Sequence, residues 1–334
     1  MTAASVLTCG ACQSAIGPDD HFCEACGHDA PPTSVGSQSA GSTCCTACDL
    51  PFGADRPEYC LGCGSKQPAA RDHLEADLPG VAAASDRGRR HRRNEDAFAI
   101  SVAPDGRILA VVCDGVSTTA RPDEASQAAA DAGIAALLAG GVSTGGDLEA
   151  AFLAARRAVQ QVPWEDTRTG APSCTFVAAV VTGNHIRVAS MGDSRAFWLP
   201  EGEAPQIVTA DDSWVAEQVR AGAMTSDAAR ADPRSHSITR WLGRDAEAWW
   251  RPHEVSFSAH SAGRLVLCSD GLWNYAESAT HLASVIPEGT PSSVSRDLVG
   301  WANAQGGQDN VTVVVLDVGP PDDIGHAQQK GPAR

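Results

Sequence analysis

The sequence predicts an α+β domain over residues 80–318, its sheets covered on their outer faces by helices, with two small cysteine-rich units in front of it. Three observations lead there. After Val81, apolar runs of strand length alternate with two pairs of helical stretches. Four of those runs end on, or start from, an aspartate: Val112-Cys113-Asp114-Gly115, Met191-Gly192-Asp193-Ser194-Arg195, Cys268-Ser269-Asp270-Gly271 and Gly307-Gln308-Asp309-Asn310. Nine of the twelve cysteines fall before residue 64, eight of them in Cys-x-x-Cys pairs.

A chain of 334 residues with 43% hydrophobic side chains can build one large core plus an extension. No apolar stretch reaches the roughly 18 residues of a membrane span. The amino terminus has neither a basic start nor an apolar segment of signal-peptide length, so a soluble, cytoplasmic protein without a membrane partner is expected. The formal net charge of −16 argues against general affinity for nucleic-acid phosphates. Residues 1–79 carry 10 acidic and 3 basic side chains against 31 and 22 in the remainder, so acidity is denser at the front.

The amino-terminal quarter is an internal repeat. Cys9 and Cys12 are followed after ten residues by Cys23 and Cys26; Cys45 and Cys48 are followed after eleven by Cys60 and Cys63. Each unit offers four thiolates in two tight turns, the ligand set of tetrahedral Zn2+. A disulfide framework is the competing reading, but it belongs to secreted chains. Cys44 is left over, and His21, His28 and Asp29 read as solvated surface. Segments this short bury too little apolar surface to fold alone, so metal binding is expected to fold them. The pattern resembles a tandem zinc ribbon, with units at 1–30 and 44–66, flexible linkers at 31–43 and 67–79, and two structural Zn2+. With few aromatic residues and acidic flanks, a protein partner fits such ribbons better than DNA.

In the large domain, Val81 to Ser85, Ala97 to Val102 and Arg107 to Cys113 read as strands, with Pro104-Asp105-Gly106 as a turn. Pro122 opens an alanine-rich helix to Ala139, favoured by Asp123 and Glu124 in its first turn, and a second helix covers Asp147 to Val162. Ser173 to Thr182 and His185 to Ser190 flank a Gly183-Asn184 turn as a hairpin, continued by Arg195 to Leu199. Residues 211–243, with a helix near Ser213 to Ala221, read as a mobile excursion beside the strand ends. A strand from Arg264 enters Asp270, helices cover Ser278 to Val285 and Pro291 to Ala304, and Val311 to Val318 closes the domain. Residues 319–334 read as a disordered tail. Cys113, Cys174 and Cys268 stand in apolar strand contexts and read as core thiols.

An aspartate at the rim of a sheet is costly unless something positive compensates it, and four of them suggest a cluster that holds hard cations such as Mg2+ or Mn2+. Beside them runs Arg87-Gly-Arg-Arg-His-Arg-Arg-Asn-Glu95-Asp96, where cations able to grip a phosphate adjoin carboxylates able to grip metals. The ordered set RRNEDAF, CDG, MGDSR, CSDGLW and GGQDNVTVVV resembles the metal-dependent protein phosphatases of the PPM (PP2C) type, particularly the compact bacterial ones, over residues 80–318.

The resemblance implies an α-β-β-α sandwich and hydrolysis of phosphoserine and phosphothreonine in proteins by metal-activated water, opposing bacterial Ser/Thr kinases. It implies two to three Mn2+ or Mg2+. Asp114 matches the carboxylate that bridges both metals, and Gly115 gives its carbonyl oxygen. Asp270 and Asp309 match ligands of the first metal, Glu95 resembles the holder of the second, Asp96 looks like an orienting residue, and Asp193 matches the ligand of a third metal. Arg195 then pairs with a carboxylate. Two departures stand out. Where the family has a phosphate-binding arginine this chain has His91, so Arg90, Arg92 or Arg93 takes that contact, or His91 does so when protonated, or His91 packs against the strand and does neither. Asp-Gly is followed by Val116-Ser117, which leaves the general acid unassigned; Ser173-Cys174-Thr175 replaces a common Gly-Thr-Thr. His236, in the excursion, either approaches the third metal or is plain surface. An alternative reading is a phosphatase-like protein that binds phosphoproteins, with the zinc ribbons as its output.

Overall fold

The computed structural model describes residues 69–141, 146–165 and 168–320, together with 7–8, 15–16, 25–26, 33–35, 37–38, 48, 50–51, 59–64 and 67 of the amino-terminal quarter. Its strands begin with β1 (Leu7–Thr8), β2 (Ala15–Ile16), β3 (Thr33–Val35), β4 (Ser37–Gln38), β5 (His73–Leu78), β6 (Val81–Asp86), β7 (Asp96–Val102) and β8 (Ile108–Asp114). Helices α1 (Pro122–Ala139) and α2 (Asp147–Gln161) follow, then β9 (Ser173–Cys174), β10 (Phe176–Thr182), β11 (His185–Met191), β12 (Arg195–Pro200) and β13 (Gln206–Ile207). Short helices α3 (Trp214–Arg220) and α4 (Ser226–Arg230) precede β14 (Leu242–Gly243), β15 (His253–Ser258) and β16 (Gly263–Cys268). The domain ends with α5 (Asp270–Trp273), α6 (Ala279–Val285), α7 (Pro291–Gln305) and β17 (Val311–Val318).

One large sheet has the order β15-β11-β10-β8-β7-β3 and the second large sheet β13-β12-β16-β17-β6-β5-β4, with every pairing within them antiparallel. Alternation along the strands explains why they stack. Ala110 and Val112 of β8 share a core with Val314 and Leu316 of β17, between the sheets. Val111, on the opposite face of β8, packs under α1 and α2 with Phe152 and Phe176, whose rings meet edge to face at 5.9 Å. Val313 and Val315 of β17 pack under α5, α6 and α7 with Leu272, Leu282 and Leu298. Both sheets are thus buried on two faces, which is the predicted α-β-β-α sandwich. Full burial of a side chain such as Phe152 stabilises the fold by roughly 2–3 kcal/mol.

Most predicted elements are found within a residue or two of their expected bounds, and α1 and β17 match at both ends. The stretch 67–79, read as a linker, differs. It contains β5, which pairs over all six residues with β6 across a Pro79-Gly80 turn. Gly80 takes φ +76°, a left-handed value that suits glycine in a two-residue hairpin. The linker read at 31–43 also carries strands: β3 pairs with β7 and β4 with β5, so this segment extends one edge of both sheets. Edge strand β15, largely exposed, was likewise not anticipated. The excursion at 211–243 is anchored at its base, where Asp212 exchanges backbone hydrogen bonds with Gly192 and Thr239. Residues 321–334 of the predicted tail lie outside the described residues. Among the described residues, no helix is long and apolar enough to cross a membrane.

Candidate metal centre

Strand ends from both sheets converge on one rim. Asp96 opens β7 and stands opposite Asp114, the last residue of β8, in the ladder. Asp270 begins α5 directly after β16, Asp309 immediately precedes Asn310 and β17, and Asp193 lies in the turn between β11 and β12. Close approach of backbones makes this possible. A Cβ on Gly271 would stand 1.9 Å from the carbonyl oxygen of Asn310, and one on Gly115 would stand 2.4 Å from that of Pro122. Only glycine fits at either place, so the glycine after Asp114 and after Asp270 is a steric requirement.

The electrostatics are those of crowded carboxylates. Burial pushes Asp114 well above the usual carboxylate range, and repulsion from Asp96, Asp270, Asp309 and Asp193 adds to it. Asp270 is raised by burial and then by Asp309, Asp193 and Asp96. Burial raises Asp193 to about 7, with Asp211 raising it further and Arg195 opposing, and raises Asp96 to about 6 against hydrogen bonds from Ser269 and Thr312. Of the rim aspartates' buried oxygens, Asp96 Oδ1 and Asp270 Oδ1 have no hydrogen-bond partner. An all-oxygen donor set, mutual repulsion and orphaned acceptors are together what divalent hard cations relieve. The residues therefore fit Mg2+ or Mn2+.

The structure brings Asp96, Asp114, Asp193, Asp270 and Asp309 together. Glu95 adjoins them along the chain, but its carboxylate is taken by Arg93 Nε at 2.9 Å and by the Ser117 hydroxyl. Gly115 donates its N–H to the Glu95 carbonyl at 3.1 Å. His91 does not pack into the strand, one of the possibilities left open above: its Nε2 lies 3.1 Å from Asp309 Oδ1. Arg90 and Arg92 are exposed, whereas Arg93 is committed to Glu95 and, at 3.3 Å, to Asp123. Arg195 pairs with Asp211 at 2.7 Å as expected and stacks over Trp273, whose Nε1 donates to the Asp193 carbonyl at 2.8 Å. His236 lines a cleft of about 500 Å³ with Asp193, Asp270, Trp273 and Tyr275. A larger cleft of about 630 Å³, around Arg264 and Asp317, contains none of the site carboxylates. Cys113, Cys174 and Cys268 are wholly buried, and burial pushes the Cys113 and Cys268 thiols up, as inert core thiols require.

Sequence reasoning missed several supports. Asn310 accepts the Glu95 N–H at 2.8 Å and donates to the carbonyls of Arg87 and Arg93 at 2.8 and 3.0 Å, stapling the basic turn to β17. It stood in a quoted motif without a role. Thr175 Oγ1 accepts the Asp114 N–H at 2.9 Å, which gives the Ser-Cys-Thr variant a clear use for its threonine. In the amino-terminal quarter, the thiols of Cys48, Cys60 and Cys63 lie within 4.8 Å of one another, and the Gly62 N–H faces the Cys60 sulfur at 3.3 Å. Cys26 is exposed; Cys9, Cys12, Cys23 and Cys45 lie outside the described residues.

Known proteins resemble the large domain of this chain. Residues 86–301 match the family described as protein phosphatase 2C. The chain is 38% identical over 245 residues to the serine/threonine protein phosphatase PstP of Mycobacterium tuberculosis, covering 71% of this chain and 44% of that protein. It thus spans less than half the length of that relative. It is 29% identical over 247 residues to the serine/threonine phosphatase Stp of Listeria monocytogenes, covering 70% of this chain and 93% of that one. A crystal structure of the PstP catalytic domain in complex with two manganese ions superposes with a TM-score of 0.59 at 30% identity, covering 72% of this chain and 97% of that one. With the family match spanning most of the sandwich and the carboxylates gathered at its rim, the chain belongs to the protein phosphatase 2C family.

Proposed function

We propose that this chain hydrolyses phosphoserine and phosphothreonine in proteins, opposing Ser/Thr kinases, with two to three Mn2+ or Mg2+ ions at the rim. The observation that carries the reading is the convergence of five aspartates with unpartnered buried oxygens on Asp96 and Asp270. Asp114, the Gly115 carbonyl, Asp270, Asp309 and Glu95 would hold two ions and Asp193 a third. Bound at those residues, such ions would lower the pKa of a water and would neutralise charge on a phosphoryl group. The chain's own residues do the remaining work. Asp96 is held through Oδ2 by Ser269 Oγ at 2.7 Å, which leaves its buried Oδ1 without a hydrogen bond. His91 stands at the rim on Asp309, and exposed Arg90 and Arg92 add fixed positive charge that attracts a phosphate ester. Hydrolysis of p-nitrophenyl phosphate and a phosphothreonine peptide should depend on manganese and vanish in Asp114→Asn and Asp270→Asn. Turnover that persists in both variants would remove the proposed centre.

The cysteine units are proposed to be two zinc ribbons that regulate or target the phosphatase through a protein partner. Support comes from the three clustered thiols of Cys48, Cys60 and Cys63, to which the spacing adds Cys45, and from the matching spacing of Cys9, Cys12, Cys23 and Cys26. Cysteines used for zinc rather than disulfides suit a cytoplasmic protein. Metal analysis of the purified chain should find two zinc per molecule, falling to one in Cys60→Ser; a zinc-free, fully folded chain would exclude the ribbons.

A further inference from the structure

The residues just before β5 reach the strand that carries the metal centre. Ala70–Asp72 form a single 3-10 turn, closed by the Asp72 N–H on the Ala69 carbonyl and by the Ala69 N–H on the Asp72 carboxylate. The turn aims Arg71 across to the start of β7 and the first turns of α1. Its Nε donates to the Asn94 carbonyl at 3.1 Å and its Nη2 to the Asp96 carbonyl at 2.9 Å. Nη2 also meets Ser126 Oγ at 3.2 Å, and Nη1 meets Gln127 Oε1 at 2.7 Å. Asn94 Nδ2 returns a bond to the Arg71 carbonyl at 3.2 Å. The intervening Glu95 carbonyl accepts from Ser126 Oγ and from the Gly115 N–H.

All three carbonyls of Asn94-Glu95-Asp96 are therefore taken, two of them by one guanidinium. A planar fork with fixed donor directions can address two carbonyls two residues apart and two side chains on a helix together, whereas an ammonium on a flexible stem cannot. Once those carbonyls are fixed, the peptide planes are fixed, and with them the directions in which the Glu95 and Asp96 side chains leave the backbone. The same guanidinium ties this tripeptide to α1, which starts eight residues after Asp114.

We propose that Arg71 is a positioning residue of the metal centre, setting the Asn94-Glu95-Asp96 backbone against α1. The inference rests on the phosphatase reading for its activity arm only. The experiment uses the full chain and its Arg71→Lys and Arg71→Ala variants, with Mn2+ titrated into metal-free protein by calorimetry, kcat and KM for p-nitrophenyl phosphate, and thermal unfolding in EDTA. Loss of an outer partner of metal ligands weakens metal affinity by about 10-fold or more. Arg71→Lys should show that loss together with a lower kcat and little change in KM, while unfolding in EDTA moves only slightly; guanidinium added to Arg71→Ala should recover Mn2+ affinity. Wild-type Mn2+ affinity in Arg71→Lys would overturn the proposal. So would failure of Arg71→Lys to fold, since Arg71 would then be scaffold. If the wild-type chain binds Mn2+ but does not turn over, the phosphatase reading falls while the affinities still decide this one.

Discussion

His73 offers a quantitative test of how the front of the domain is held. It sits in β5 between two carboxylates, with Nδ1 2.8 Å from Asp86 and Nε2 3.0 Å from Glu75. Both ring nitrogens can donate only when the imidazole is charged. The hydrogen bond to Asp86 is the main cause that raises its pKa to about 9, with burial opposing and Glu75 assisting. A histidine whose folded pKa exceeds its unfolded value of about 6.5 binds its proton more tightly when folded. Its stabilisation is therefore complete below pH 6.5 and is lost as pH rises through about 9. Taken at face value the shift is worth about 3 kcal/mol. The side chain is 39% exposed, so solvent screening reduces this to about 1 kcal/mol. For a domain of this size that is about 2–4 °C of melting temperature. Wild-type and His73→Gln chains, melted in EDTA between pH 6 and 10, should differ by that amount at pH 6.5 and converge by pH 10. A difference that stays constant with pH, or widens as pH rises, would refute the reasoning.

Other consequences follow from single contacts. Gly271→Ala places a Cβ 1.9 Å from the Asn310 carbonyl, so Asp270 or Asn310 must move; phosphatase activity should fall by about 100-fold, measured as kcat/KM on a phosphothreonine peptide. Asn310→Ala leaves the buried Glu95 N–H and two carbonyls without a partner and should lower stability by about 2–3 kcal/mol in urea unfolding, together with Mn2+ affinity. Phe152→Ala removes a 1% exposed ring of α2 that packs on Phe176 and touches none of the rim aspartates in a ring contact. It should cost about 3–5 kcal/mol in unfolding while kcat of the folded fraction stays near wild type.

What could be read in advance depended on how much a residue's role is local. Strands such as Val311–Val318 are apolar on both faces because both faces are covered, and a continuous valine run announces this directly. Asp114, Asp270 and Asp309 stand out because a charge at the end of such a run needs a reason. β5 was missed because His73-Leu-Glu-Ala-Asp-Leu78 carries charge on alternate positions, as an outer strand with one solvated side does, and three charges in six residues read as linker. Arg71 and Asn310 were missed for another reason. Their partners lie 23 to 56 and 215 to 223 residues away, and no spacing rule shows that a lone arginine or asparagine will meet them. His91 lay between: its place beside the site could be anticipated, its partner Asp309 could not.

The rim carboxylates belong to different layers. Asp96 and Asp114 are carried by one sheet, Asp270 and Asp309 by elements flanking strands of the other, and Asp193 sits where the chain passes from the first to the second. The gap between their oxygens is consequently set by the thickness of the apolar filling between the sheets, where Phe98, Val112, Leu267 and Val314 meet. That filling sets the spacing of the centre, so trimming a methyl group from it is expected to change which ionic radius the rim prefers, as competitive Mn2+ and Mg2+ titration would read. A cation held by both sets of aspartates would link the two sheets, so added Mn2+ should slow amide exchange along β8 and β17 together.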